Sequence, residues 1–237
     1  MGRIFETRKH KMFARWDKMG KAFTRIGKEI AIAVKAGGPD PDANARLRTI
    51  IKNAKALNMP KSTIDNAVKR AASKDQANYE EVTFEGYGVG GVGIYVECAT
   101  DNNTRSVANI RSYFAKFDGA MGKSGSLDFI FERKGVFKIK NESINAEELE
   151  FELIDFGCEE FMFDDENGVI IFYTPFADFG KMTKALEDKN INVISAELQR
   201  IPHTLVDCDE ATAERVLALV DRIEQDDDVQ QVFHNMK

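Results

Sequence analysis

The chain has 237 residues, 43% of them apolar, and a formal charge of −6; that excludes a disordered polyanion and supplies core material for two or three compact units. Cys98, Cys158 and Cys208 are odd in number and far apart, which argues against a disulfide framework and a Cys-x-x-Cys zinc site. No segment has the length and apolarity of a signal peptide or membrane span, so the cytoplasm is the expected location.

The modest net charge hides an asymmetry. Residues 1–75 hold 18 Lys+Arg against 7 Asp+Glu, a charge of +11, whereas residues 76–237 hold 15 against 32, a charge of −17. A basic module beside an acidic remainder points to a polyanionic partner for the first part.

In chain order, Met12, Phe13, Trp16, Met19, Phe23, Ile26, Ile30 and Val34 recur at helical spacing and predict one long helix, stopped by Gly37-Gly38-Pro39. Lys11, Arg15, Lys18, Lys21, Arg25 and Lys28 repeat with the same period about 100° away, giving that helix a cationic stripe. Asp40, Asp42 and Asn44 offer N-cap chemistry for a second helix, with Leu47, Ile50, Ile51, Ala54 and Leu57 inward and Arg46, Lys52 and Lys55 adding cations. Met59-Pro60-Lys61-Ser62 opens a third helix through about residue 72, with Ile64, Ala67, Val68 and Ala71 inward. Three short-looped helices predict a small bundle.

Residues 73–79 read as a polar linker, after which β-branched and aromatic strands take over. The expected order is strand 92–99, helix 104–117, strand 126–132, strand 135–140, helix 146–156, strand 159–163, strand 168–173, helix 176–188, strand 192–199, strand 200–206, helix 209–225 and strand 229–234. Its middle part is the β-α-β-β-α-β order of a ferredoxin-like domain. The fold class is therefore α+β: an N-terminal three-helix module over residues 1–75 and two ferredoxin-like α/β domains, one inserted in the other. The discontinuous domain spans 79–133 plus 200–237, and the inserted one 134–199.

The motifs that would carry catalysis fail on context. Gly88-Val89-Gly90-Gly91-Val92-Gly93 has the letters of a dinucleotide fingerprint, but strand-like residues flank it on both sides, so it reads as a strand connection. Gly122-Lys123-Ser124 lacks the first P-loop glycine, Phe117 standing there, and belongs to a polar loop at 118–126 whose amides, Lys123 and Ser124 could touch a phosphate or another macromolecule. His10, His203 and His234 do not cluster. The runs Asp164-Asp165-Glu166 and Asp226-Asp227-Asp228 lack calcium-loop spacing and read as solvated turns. No nucleophile elbow occurs. No enzyme activity, metal or cofactor is expected.

The function-bearing feature is thus the basic module. Arg8, Lys9, Lys11, Arg15, Lys18, Lys21, Arg25, Lys28, Arg46, Lys52 and Lys55 are the expected phosphate contacts, and none of them specifies a base. A protein-interaction adaptor without nucleic-acid contact is the alternative from a different class.

Several blocks give the chain a family resemblance: Gly37-Gly38-Pro39-Asp40-Pro41, Arg46-Leu47-Arg48, Asn58-Met59-Pro60-Lys61, Glu85-Gly86-Tyr87-Gly88, Thr100-Asp101-Asn102, Phe131-Glu132-Arg133-Lys134-Gly135 and Glu197-Leu198-Gln199-Arg200-Ile201-Pro202. Over nearly its whole length the chain resembles the YebC family, which includes the mitochondrial translational activator of cytochrome oxidase. It departs from the common Gly-His-Ser-Lys-Trp opening, having Gly2-Arg3-Ile4-Phe5-Glu6, with its only tryptophan at Trp16. The resemblance implies three domains and a polyanionic partner. Many members are labelled DNA-binding transcriptional regulators, and others look like ribosome-associated translation factors that bind ribosomal RNA and relieve stalling at proline-rich stretches.

Overall fold

The computed structural model describes residues 3–73, 78–141, 145–164 and 168–237, with side chains from Met19 onward. Helix α1 (Arg3–Gly37) is 35 residues long, about 50 Å at the helical rise. It ends where Gly38 adopts a left-handed φ of +86° and donates its N–H to the Val34 carbonyl. Helix α2 (Ala45–Ala56) starts at Asn44, whose side chain accepts from the Leu47 N–H and donates to the carbonyls of Ala33 and Gly38, tying the α2 start to the α1 end. Helix α3 (Lys61–Ala71) follows a turn in which Asn58 has positive φ. Ile26, Ile30, Val34, Leu47, Ile50, Ile64 and Ala67 form the bundle core. Leu57, expected inward, is half exposed, because it lies past the last turn of α2.

Strand β1 (Glu80–Tyr87) joins β2 (Gly93–Thr100) through a tight turn at Val89–Gly91, where Gly90 and Gly91 both have positive φ. The glycine run is thus a strand connection. Helix α4 (Asn103–Lys116) and the two-residue strand β3 (Ala120–Met121) follow. The strand expected at 126–132 is instead a run of turns over 124–130, and β4 (Phe131–Lys140) begins only there. The cause is Glu85, whose buried carboxylate accepts the N–H groups of Gly125 and Leu127 and folds that segment under the sheet. Leu127 and Ile130 then pack with Tyr95 and Phe131.

Helix α5 (Ala146–Ile154), strands β5 (Glu159–Asp164) and β6 (Val169–Pro175), helix α6 (Phe179–Asp188) and strand β7 (Val193–Pro202) come next. Strand β7 merges the two strands expected at 192–199 and 200–206. Helix α7 (Glu210–Glu224) and strand β8 (Val229–His234) close the chain.

Two antiparallel sheets result, ordered β3-β1-β2-β8 and β5-β6-β4-β7. The second has the chain order β-α-β-β-α-β of a ferredoxin-like domain, with α5 and α6 over a core of Phe137, Ile139, Leu153, Ile170, Phe172 and Met182. In the first, the strand next to β2 in the centre comes from β1, ahead of the rest of the domain in the chain, and α4 and α7 cover Ile94, Val96, Phe114 and Leu219. The second domain is inserted between β3 and α7 of the first.

Candidate nucleic-acid interface

Lys21, Arg25 and Lys28 lie within about 60° of one another around α1, at 100° per residue. Their surroundings differ completely. Lys21 is exposed and makes no ion pair among the described residues. One turn on, the Arg25 guanidinium donates to the Glu224 carbonyl at 2.9 Å, in the last turn of α7, where unsatisfied carbonyls attract cations. Lys28 is only 8% exposed. Its ammonium donates to the Ala99 carbonyl at 3.0 Å, the Asp227 carbonyl at 2.7 Å and Asp228 Oδ1 at 2.8 Å. An ammonium has three N–H donors, so none remains for a phosphate. Lys28, expected in the phosphate-contacting set, is a docking residue, because the acidic turn before β8 lies over that end of the stripe.

Asp228 is the centre of this joint. It is 4% exposed and receives Lys28 on one oxygen; the other accepts from Arg105 at 2.7 Å, Ser106 at 2.9 Å and Thr100 at 3.1 Å. Burial pushes its pKa upward, but the hydrogen bonds from Lys28, Arg105 and Ser106 outweigh that and hold it at about 2. Asp226 accepts from Asn109 and Tyr113. The run Asp226-Asp227-Asp228, expected as a solvated turn, is structural. Of the run Asp164-Asp165-Glu166, the last two lie outside the described residues.

Helix α2 docks on the inserted domain. The Asn53 amide donates to the Ala196 carbonyl at 2.8 Å and accepts its N–H at 3.1 Å, pairing the edge of β7 as a neighbouring strand would. Lys52 and Arg48 both bind Glu187 of α6, at 2.6 and 3.1 Å, and Arg46 pairs with Glu81 of β1. Arg200 of β7 binds Glu97 of β2 and lies 3.9 Å from the Tyr95 ring centroid, joining the two sheets. Glu29 of α1 sits in this three-way joint. Burial first, and then the carboxylates of Glu197, Glu81 and Glu97, raise its pKa to about 7 against the opposing pull of Arg46.

Of the expected phosphate contacts, Arg25, Lys28, Arg46 and Lys52 therefore have partners within the chain, and Lys21 and Lys55 face solvent. The side chains of Arg8, Lys9, Lys11, Arg15 and Lys18 lie outside the described residues. Sequence reasoning missed the outward cations of α3: Lys61, Lys69 and Arg70 are exposed, and Arg70 borders a cleft of about 330 Å³ shared with Phe23 and Tyr79. Their signal in the sequence is the polar side of α3. At the 118–126 loop, Lys123 and Ser124 are exposed, but the amides of Gly122, Gly125 and Leu127 already donate to Glu85. The loop offers the Lys123 cation at its tip, with the flanking Gly122 and Gly125 amides engaged by Glu85.

The opposite charge collects elsewhere. Residues 141–180 contain twelve Asp and Glu and no Lys or Arg. Burial pushes the Cys98 thiol up to about 12 and the Cys158 thiol up to about 11, far from the range of a reactive thiolate. Among the described residues no group of three His, Cys, Asp or Glu could hold a metal ion, and no helix is long and apolar enough to cross a membrane.

Residues 3–74 match the family model described as the TACO1/YebC protein N-terminal domain, and residues 79–236 that of the TACO1/YebC second and third domain. A relative from Cytophaga hutchinsonii is 56% identical over 100% of this chain and 98% of its own length. Another, from Anaeromyxobacter dehalogenans strain 2CP-1, is 52% identical over the whole of both chains. Both bear the name "Probable transcriptional regulatory protein". The crystal structure of a conserved hypothetical protein from Aquifex aeolicus superposes with a TM-score of 0.78 at 36% identity, covering 92% of this chain and 90% of that one.

Proposed function

The chain belongs to the TACO1/YebC family, and from that premise we propose that it is a nucleic-acid-binding regulatory factor of gene expression that grips phosphates without reading bases. The observation that carries this is the division of the module's cations. The acidic domains engage Arg25, Lys28, Arg46 and Lys52, yet Lys21, Lys55, Lys61, Lys69 and Arg70 remain exposed and make no ion pair among the described residues. With Arg8, Lys9, Lys11, Arg15 and Lys18, they make the cation density that drives counterion release from a polyanion. The relatives' name favours duplex DNA as the target.

Ribosomal RNA is the second reading. The observation favouring it is the acidic stretch at 141–180, which repels phosphate and suits a protein neighbour, so that a basic and an acidic surface on one chain fit a ribonucleoprotein.

Anisotropy titration of duplex DNA and of a ribosomal RNA fragment, with wild type and an Arg15→Glu, Lys18→Glu, Lys21→Glu variant, tests the proposal. Affinity falls in the variant for the physiological target, and unaltered affinity for both overturns it. Co-sedimentation with ribosomes supports the second reading, and a sequence-selective footprint without it supports the first.

A further inference from the structure

Helix α5 and edge strand β5 of the inserted domain carry two exposed features. The first is apolar. Phe151 of α5 is 77% exposed, on the opposite side of the helix from the core residues Leu149 and Leu153, and Ile154 is more than half exposed on its flank. Strand β5 follows α5 after a short turn through Gly157 and pairs on one side only, with β6. Phe163 near its end is half exposed, outermost in an aromatic row in which Phe161 stacks on Phe172 and meets Phe163 edge-on at 5.6 Å. Large exposed apolar side chains such as these, on a helix and on the edge strand that follows it, are of the kind that marks interaction sites.

The second feature is charge. Within the acidic stretch at 141–180, Glu147 and Glu150 lie on α5 and Glu160 on β5, all exposed and without an ion pair among the described residues. At Glu160, with φ of +42°, the pairing with β6 slips, so β5 is a poor template for another copy of itself. Phosphate is repelled here. The chemistry that fits is a polypeptide carrying Lys or Arg for the carboxylates and apolar side chains for Phe151, Ile154 and Phe163.

We infer that the α5–β5 face is a docking surface for a cationic protein segment with apolar anchors. It is separate from the nucleic-acid interface and stands whether or not that reading holds. Charge complementarity directs the encounter, and the aromatic side chains supply the contact that outlasts it.

The test uses the full chain and a short fluorescein-labelled peptide repeating Lys-Leu-Lys-Gly, with the charge-inverted Glu-Leu-Glu-Gly peptide as control. The cationic peptide binds and the control does not; affinity drops about tenfold or more in the Phe151→Ser, Phe163→Ser variant, whose net charge is unchanged. The Glu147→Lys, Glu150→Lys, Glu160→Lys variant, which spares the aromatic row, abolishes binding. Equal binding by the serine variant overturns the inference, since charge alone would then explain the association. So does a dimer of the free protein that the serine substitutions dissociate, because the face would then be covered by a second copy.

Discussion

Lys21 and Lys28 stand two helical turns apart on the same stripe of α1, and they do opposite things. Lys21 is solvent-exposed, whereas Lys28 is buried with two of its three donors on the turn before β8 and the third on the Ala99 carbonyl of β2. The difference lies in what the rest of the chain brings to each position. Helical period assigns a residue to a face of its own helix, but long-range packing decides whether that face meets water or a carboxylate. One stripe thus supplies an adhesive at one end and a contact surface at the other, and each end can be disabled separately.

The largest effect is expected at the adhesive end. Lys28→Met keeps most of the volume and leaves Asp228 buried without its ammonium; breaking such a pair costs about 3 kcal/mol. A correspondingly lower urea midpoint in chemical unfolding checks it. Asn53→Ala removes both hydrogen bonds to the Ala196 backbone at the β7 edge and costs about 1–2 kcal/mol, read the same way.

Two pH effects sharpen the same contrast. Folding lowers the Asp228 pKa from 3.8 to about 2, so the folded state binds that proton less tightly than the unfolded chain. The stabilisation from its ion pairs is complete above pH 4 and is lost as pH falls toward 2, which a denaturation series over that range will register. Glu29 runs the other way. Its pKa rises from 4.5 to about 7 on folding, so the joint is destabilised progressively as pH climbs from 4.5 to 7 and stays so above. Glu29→Gln therefore raises the melting temperature by a few degrees at pH 8 and has little effect at pH 4, below the unfolded pKa.

Much of the fold was legible because it rests on local pattern. The bundle core at Ile26, Ile30, Leu47, Ile50 and Ile64 follows from period alone, and Asn44 caps as its side-chain chemistry suggests. Residues 126–130 have strand-like local pattern, but their conformation is set by Glu85, some forty residues earlier, through a buried carboxylate that no local pattern announces. Asp228 was read as solvated for the same reason: its partners are Lys28, Thr100, Arg105 and Ser106, two of them on α4 and one on α1. Cation density in the module was visible from composition. Which cations are free was not, since that depends on carbonyls and carboxylates more than a hundred residues away in several cases.

The division of the stripe is tested most directly by the salt dependence of nucleic-acid binding. In a log–log plot against salt, reversing Lys21, Lys55 and Lys69 to glutamate should flatten the slope by about 0.7–0.9 per lost contact, with the melting temperature unchanged. Lys28→Met, at a temperature where it is folded, should leave the slope as in the wild type. An unchanged slope in the triple variant, or a flattened one in Lys28→Met, would contradict the account.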